Sequence, residues 1–314
     1  MSRPLGKATR DGFGEALRDL GAIDTSFVVL DGDVNNSTRT EYFAAKYPER
    51  FFNVGIAESN LVGIASGIAS NGRTAWLASF AAFLMCNAFD QLRMAVAVPG
   101  LPVKCVGSHA GISIGEDGPS QMAIEDVALA CALPGFTVVV PADEHAARAA
   151  VPALHRMDGP CYLRVGRPKA PVIYANGSTT FEIGRANRLR DGGDVTLIAN
   201  GLLVSAALDA ADRLASEGIQ ARVLDLHTVR PLDREALIAA AKETRGLVVA
   251  EEHLIEGGLG SRVAVLLAQE RPCPMRFVGL TRYAESGKSE ALLEKYHLTA
   301  FDIAAAARDL LRAA

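Results

Sequence analysis

Short apolar or β-branched runs alternate along this chain with longer alanine-rich stretches of helical period. That alternation constrains the fold more than any other feature. In the first half the strand candidates are SFVVLDGD (26–33), RFFNVG (50–55), RTAWLAS (73–79), LPVKCVGS (101–108), FTVVVPA (136–142) and PCYLRVG (160–166). Helical patterns fall between them near 39–47, 58–71, 80–98, 122–132 and 143–155. Runs this apolar suit strands covered on both faces, so βαβ units in a mostly parallel sheet are expected. Residues 166–190 lose the periodicity and gain Gly, Pro and Arg, which places a linker at 171–190. Strands then resume at 195–201, 220–226, 246–252 and 274–280, with helices near 203–217, 233–243, 258–270, 287–296 and 299–313. The expected fold class is α/β, with two domains, 1–170 and 191–314, each a mostly parallel sheet flanked by helices. The second is the smaller, with four or five strands.

Composition narrows the partners. The net charge is −4 and Lys and Arg are scattered, so neither nucleic acid nor an anionic membrane is an expected partner. Five cysteines without CxxC spacing read as free thiols, most of them buried, which fits a reducing cytoplasm. The first residues, MSRPLGKATRDGFGEAL, show no apolar targeting core, and apolar runs stop well short of a membrane span. The expected location is cytoplasmic.

Four stretches could carry chemistry. In FFNVGIAESNLVGIASGIASNG (51–72) one acid, Glu58, opens an almost featureless helix. An acid there ordinarily does no more than meet the helix dipole, worth ~0.3–1 kcal/mol. Gly63 and Gly67 change the weighting, because each interior glycine costs ~1 kcal/mol relative to alanine and so needs a packing reason. A tight, dry surround raises the pKa of a carboxyl, which suits proton exchange near neutrality. In WLASFAAFLMCNAFDQLRM (76–94), Phe80, Phe83 and Phe89 have helical spacing. Such a stripe usually packs a core, but it can also stack a flat heterocycle. SHAGISIGEDGPSQ (108–121) is too rich in glycine for a helix or strand, and reads as a loop at the carboxyl end of a strand, where open α/β sheets bind ligands. LDGDVNNST (30–38) is another strand-end loop. Its Asp-Gly-Asp order, followed at once by Asn35 and Asn36, does not make a Gly-Asp-Gly…Asn metal motif, so no metal ligand is expected in this chain. His145, His155, His227 and His297 have no metal-ligand spacing and read as surface or satisfied core residues.

Together GIAESNLVGIASGIA, the Phe-rich helix and HAGISIGEDGPSQ resemble the C-terminal half of transketolase. The likeness covers the pyrimidine-binding domain and, over residues 190–314, the C-terminal domain. It implies thiamin diphosphate as cofactor, and Glu58 as the catalytic acid that hydrogen-bonds N1′ of its aminopyrimidine. It implies that Phe80 and Phe83 wall that pyrimidine, with Cys86 where a tyrosine is usual. Asp33 matches a channel-lining loop. Ser37, His109 and Arg164 match residues that hold the substrate's terminal phosphate, and Asp117 matches the acid that recognises a substrate hydroxyl. Gln121 stands where a histidine beside the reacting carbon is usual. It can hydrogen-bond but cannot shuttle a proton, which implies an altered donor or acceptor preference.

The diphosphate motif is missing from these 314 residues. The resemblance therefore implies one subunit of a split transketolase, with Mg²⁺ and the diphosphate held by a separate partner subunit in a two-plus-two assembly. The implied reaction moves a two-carbon ketol unit between sugar phosphates. HTVRPLD (227–233) also resembles 2-oxoacid dehydrogenase beta subunits and deoxyxylulose-phosphate synthase. A non-catalytic scaffold is the third alternative, opposed by the cost of burying an acid that has no task. Glu252-His253, ahead of EGGLGS (256–261), sits at an anion-friendly helix start but matches a domain with no expected catalytic role, and is read as structural.

Overall fold

The computed structural model describes residues 3–175 and 181–313. The first unit begins with β1 (Leu5–Ala8) and α1 (Thr9–Ile23). It continues with β2 (Val28–Asp31), α2 (Asn35–Thr38), α3 (Glu41–Lys46), β3 (Phe51–Asn53), α4 (Glu58–Ser70), β4 (Ala75–Phe80), α5 (Ala81–Asn87) and α6 (Phe89–Gln91). Next come β5 (Val103–Ser108), α7 (Asp126–Ala132), β6 (Thr137–Val139), α8 (Glu144–His155), β7 (Cys161–Arg164) and β8 (Lys169–Pro171). The seven-stranded sheet has the order β12-β6-β7-β5-β4-β2-β3, where β12 (Thr228–Arg230) comes from the second half of the chain. Six strands run parallel and β12 alone is antiparallel. β2 and β5 are buried at every position, as strands covered on both faces must be.

The second unit runs through β9 (Asn187–Arg190), β10 (Val195–Ala199), α9 (Leu203–Ser216), β11 (Ala221–Asp225), α10 (Arg234–Glu243), β13 (Leu247–Leu254), α11 (Leu259–Glu270), β14 (Met275–Leu280), α12 (Ser289–Lys295) and α13 (Ala300–Ala313). Its five strands, β14-β13-β10-β11-β9, are parallel except for β9 at the edge. The chain therefore has two α/β units with mostly parallel sheets, as the alternation predicts.

Four details differ from the sequence reading. Helix α1 was not expected. It packs on α8, and Phe13, Leu17 and Leu20 join Trp76, Val151 and Leu154 under one face of the first sheet. The single helix expected over 80–98 breaks at Ala88 and continues as a π-helical turn at Leu92–Ala97. The carbonyl of Asn87 is turned out there to accept from Ser59 Oγ (3.0 Å). The stretch read as a linker holds β8, paired with β1, and β9, paired with β11; residues 176–180 lie outside the described residues. Among the described residues nothing packs on the glycine face of α4, where Gly63 and Gly67 look into open space.

One apolar cluster runs across both units, joining Leu61, Leu77 and Cys105 to Leu224, Val229, Val249 and Leu259. With β12 inserted in the first sheet, this fixes the two units against each other. Among the described residues no helix is long and apolar enough to cross a membrane. Three cysteines, Cys105, Cys131 and Cys161, are buried, whereas Cys86 is exposed.

Candidate active site

The candidate residues gather at the carboxyl ends of neighbouring strands. Asp33 and Ser37 follow β2, Glu58 follows β3, Phe80 ends β4 and His109 follows β5. Parallel strands deliver their loops to one edge, which is where open α/β sheets place ligands.

Glu58 is the first residue of α4 and is buried to 7% exposure. Ser79 Oγ donates to its Oε1 at 2.8 Å, and the described contacts leave the second oxygen for a ligand. Gly32 keeps the approach clear, since a Cβ there would sit 3.1 Å from Ser79 Oγ and 3.7 Å from Glu58 Oε1. Phe80 and Phe83 stack with centroids 5.8 Å apart, and His109 lies on Phe80 at 4.1 Å and 15°. The three rings form a half-open aromatic wall. Cys86 is on the exposed end of α5, on the same helix as Phe83. The loop after β2 is pinned by Asp31, whose carboxylate accepts from Val34 N (2.7 Å), Thr38 Oγ1 (2.7 Å) and Thr40 Oγ1 (2.8 Å). Burial pushes the Asp31 carboxyl up to about 6 despite those donors. Asp33 sits at φ +65 and accepts from Asn53 Nδ2 (2.6 Å).

A cationic cluster adjoins this wall. Arg10 Nη1 donates to Ser37 O (2.9 Å) and meets His109 Nε2 at 3.0 Å. Arginine can only donate, so Nε2 accepts and the ring proton lies on Nδ1, facing Ser108 Oγ at 2.9 Å. Burial and the charges of Arg10, Arg167 and Arg39 push His109 down to about 3. Arg10 is itself lowered by burial and by Arg39, and its buried Nε has no hydrogen-bond partner among the described residues. Cations crowded this way call for an anion between them. Arg10 and Arg167 both line a cavity of about 340 Å³, together with Ser113 and Lys288.

Neutral His109 has a consequence for stability. Below its unfolded pKa of about 6.5 the unfolded chain takes up a proton that the native ring refuses. Stability is therefore lost as pH falls from about 6.5 toward the folded value of about 3. His109→Asn is expected to shrink the drop in melting temperature between pH 7 and pH 5, measured on the isolated chain. An unchanged drop would show that the native ring is protonated in that range.

Arg164 is elsewhere. The sequence places it at the substrate phosphate, but it ends β7 in a buried ion pair, donating from Nε to Asp126 Oδ2 (2.8 Å). Nη2 donates to the carbonyls of Ala123 (3.0 Å) and Glu252 (2.9 Å). Nε and Nη2 are thereby spent inside the fold, and among the described contacts Nη1 alone is left to meet a ligand. Arg167, three residues on and past the strand end, holds Asp117 at 2.9 Å and reaches the carbonyl of Ile114 at 3.3 Å. Asp117 is exposed in that loop, and Gln121 is half-buried, accepting from Ser120 Oγ at 2.6 Å.

The chain matches the family model for the transketolase pyrimidine-binding domain over residues 6–172 and that for the transketolase C-terminal domain over 184–303. The chain belongs to the transketolase family. It is 42% identical to Transketolase-like protein 2 of Mus musculus, over 96% of this chain and 48% of that protein. It therefore spans about half of that relative. It is 40% identical to a 6-deoxy-6-sulfo-D-fructose transketolase subunit from Clostridium sp. (strain MSTE9), over 96% of this chain and 94% of the subunit. A solved structure described as a split gene transketolase, inactive beta4 tetramer, superposes with a TM-score of 0.92 at 44% identity, covering 98% of this chain and 99% of that one.

Transketolases depend on thiamin diphosphate, and the residues here fit its pyrimidine end. An open carboxylate oxygen on Glu58 suits a ring nitrogen that carries a proton, and the Phe80–Phe83 wall suits the flat ring. Sequence reasoning missed Arg10 and Arg167. Arg10 had a signal, since a cation in the first turn of a helix opposes the dipole and calls for a reason. Arg167 had one too, because it lies beyond the end of a strand rather than inside it.

Proposed function

We propose that this chain is the pyrimidine-binding half of a thiamin-diphosphate-dependent transketolase, active with a separate subunit that holds the diphosphate and Mg²⁺. The observation that carries the reading is Glu58, buried with one free oxygen beside the stacked Phe80 and Phe83. When bound, the cofactor supplies the thiazolium carbon on which a two-carbon unit travels. Glu58 holds and moves a proton at N1′ of the pyrimidine, and Phe80 and Phe83 orient the ring and exclude water. Arg10, Arg167 and Ser37, with neutral His109 as a hydrogen-bonding partner, take the tetrahedral anion at the substrate's end. Asp33, Asp117 and Gln121 meet its hydroxyls.

Exposed Ile56, Ile64, Met94 and Val98, with the open glycines of α4, support burial of this face by a second copy. An assembly of two such chains and two partner subunits follows. A sulfonate-ended sugar is the second reading of the substrate. The Clostridium subunit's name favours it. The anion cluster would accept either terminus.

Calorimetric titration of thiamin diphosphate with Mg²⁺ tests the reading. Tight binding is expected with a partner subunit and not with this chain alone. Ketol transfer from a ketose 6-phosphate or from 6-deoxy-6-sulfo-D-fructose then decides the substrate. Tight binding by the isolated chain would refute the split site.

A further inference from the structure

Loop 109–121 carries His109, Asp117 and Gln121, yet it has almost no regular structure of its own, only one short turn at Ile112–Ile114. Several of its amides bond within the loop or the first unit, as Gly111 N does to Ala123 O (2.8 Å) and Gly115 N to Ile112 O (3.0 Å). The C-terminal unit supplies the partner of Ser113 N. Glu252 Oε1, on β13, accepts from Ser113 N at 2.6 Å, and this carboxylate is buried. Gly111, at φ +84, lies so close that a Cβ would fall inside the Glu252 carboxylate. Ser286 Oγ donates to Glu116 O at 2.6 Å, and a Cβ on Gly115 would approach Gly287 O to 3.1 Å. Glu252 is itself fixed: Arg164 Nη2 holds its carbonyl at 2.9 Å, and Leu254 N donates to Ile124 O at 2.9 Å.

We propose that the C-terminal unit positions the substrate-recognition loop through Glu252, a positioning residue for substrate binding; this rests on the reading of loop 109–121 as a substrate contact. Domain packing alone does not account for it. The continuous apolar cluster and β12 already join the two units. A buried carboxylate is a costly way to add cohesion, and this one is aimed at a single loop amide. The loop also needs restraint, because it starts at His109 with φ +60, a conformation that a non-glycine residue leaves unless it is held. The arrangement explains why the site loop is built against a unit that offers no reacting group.

Two variants, Glu252→Ala and Glu252→Gln, separate positioning from folding. Burial pushes the Glu252 carboxyl upward, and glutamine keeps an acceptor for Ser113 N without the charge. Hydrogen exchange on the isolated chain is the first readout. Glu252→Ala is expected to speed exchange of the Ser113 amide and its loop by about tenfold, with both sheets unchanged and Glu252→Gln close to the native chain. Ser286→Ala is expected to loosen the same loop at Glu116. The second readout is kinetics with ribose 5-phosphate as acceptor, in the pair reconstituted with a diphosphate-binding subunit. There Glu252→Ala is expected to raise KM about tenfold, with kcat and the Kd for thiamin diphosphate held. Unchanged loop exchange, or faster exchange throughout both sheets, would overturn the proposal. So would a faster loop with an unchanged KM. If the unmodified pair transfers no ketol unit, the reading of the site fails instead, and the exchange readout still decides whether Glu252 holds the loop.

Discussion

Glu58→Gln is expected to lower kcat for ketol transfer by about a thousandfold in the reconstituted pair. Glutamine keeps the shape of the side chain, and its carbonyl can still accept from Ser79 Oγ, now at 2.8 Å from Glu58 Oε1. It cannot take up or release the proton that a pyrimidine nitrogen exchanges. The magnitudes separate chemistry from folding. A thousandfold loss is about 4 kcal/mol of transition-state stabilisation. The favourable placement of an acid at the start of α4 contributes only ~0.3–1 kcal/mol to stability. The variant chain should therefore melt within about 4 °C of the native one while losing nearly all activity. Affinity for thiamin diphosphate should fall less than kcat, because the diphosphate contacts in the partner are untouched. Full ketol transfer by Glu58→Ala would leave the acid without a catalytic task and revive the scaffold alternative.

Some of this architecture was legible because its causes are local. Runs such as SFVVLDGD and LPVKCVGS announce strands covered on both faces, and β2 and β5 are buried throughout. Helix α1 was hidden by its own packing. Gly12, Gly14 and Gly21 weaken its helical signal, yet Gly12 lies against the Glu144 backbone and Gly14 against Arg39 and Tyr42, where side chains would not fit. β12 has three residues and one strand partner, β6, which comes about ninety positions earlier, so nothing near it in sequence marks it as a strand of the first sheet. The site was legible in part for the same reason. Glu58, Phe80, Phe83 and His109 lie in motifs that can be read in line, and the structure brings them to one edge of one sheet. Arg10 reaches that edge from a different part of the chain, and Glu252 from a different unit. Only tertiary structure joins them to it.

Arg164→Ala and Arg167→Ala are expected to fail in opposite ways. Arg164 is 7% exposed and its partner Asp126 is 1% exposed. Removing the guanidinium leaves Asp126 buried with Tyr162 OH (2.7 Å) as its one remaining hydrogen-bond donor among the described residues, and takes a donor from the carbonyls of Ala123 and Glu252. Breaking one side of a buried pair costs about 3–5 kcal/mol, and that corresponds to a melting temperature lower by about 10 °C. Arg167 shares a partly exposed pair with Asp117, at 40% and 33% exposure, so its loss should cost no more than about 1 kcal/mol of stability. Its effect should appear in KM for phosphate- or sulfonate-ended sugars, raised about tenfold or more by the loss of a charge-assisted contact. KM for an acceptor without a charged end should stay unchanged. Thermal melts and acceptor kinetics on the same two proteins decide the matter. A stable Arg164→Ala with a selectively raised KM would return Arg164 to the substrate, through the Nη1 that its bonds to Asp126, Ala123 and Glu252 leave open. A destabilised Arg164→Ala beside a stable, weakly binding Arg167→Ala would fix the division of labour: the strand's last arginine holds the fold, and the one beyond it reads the substrate.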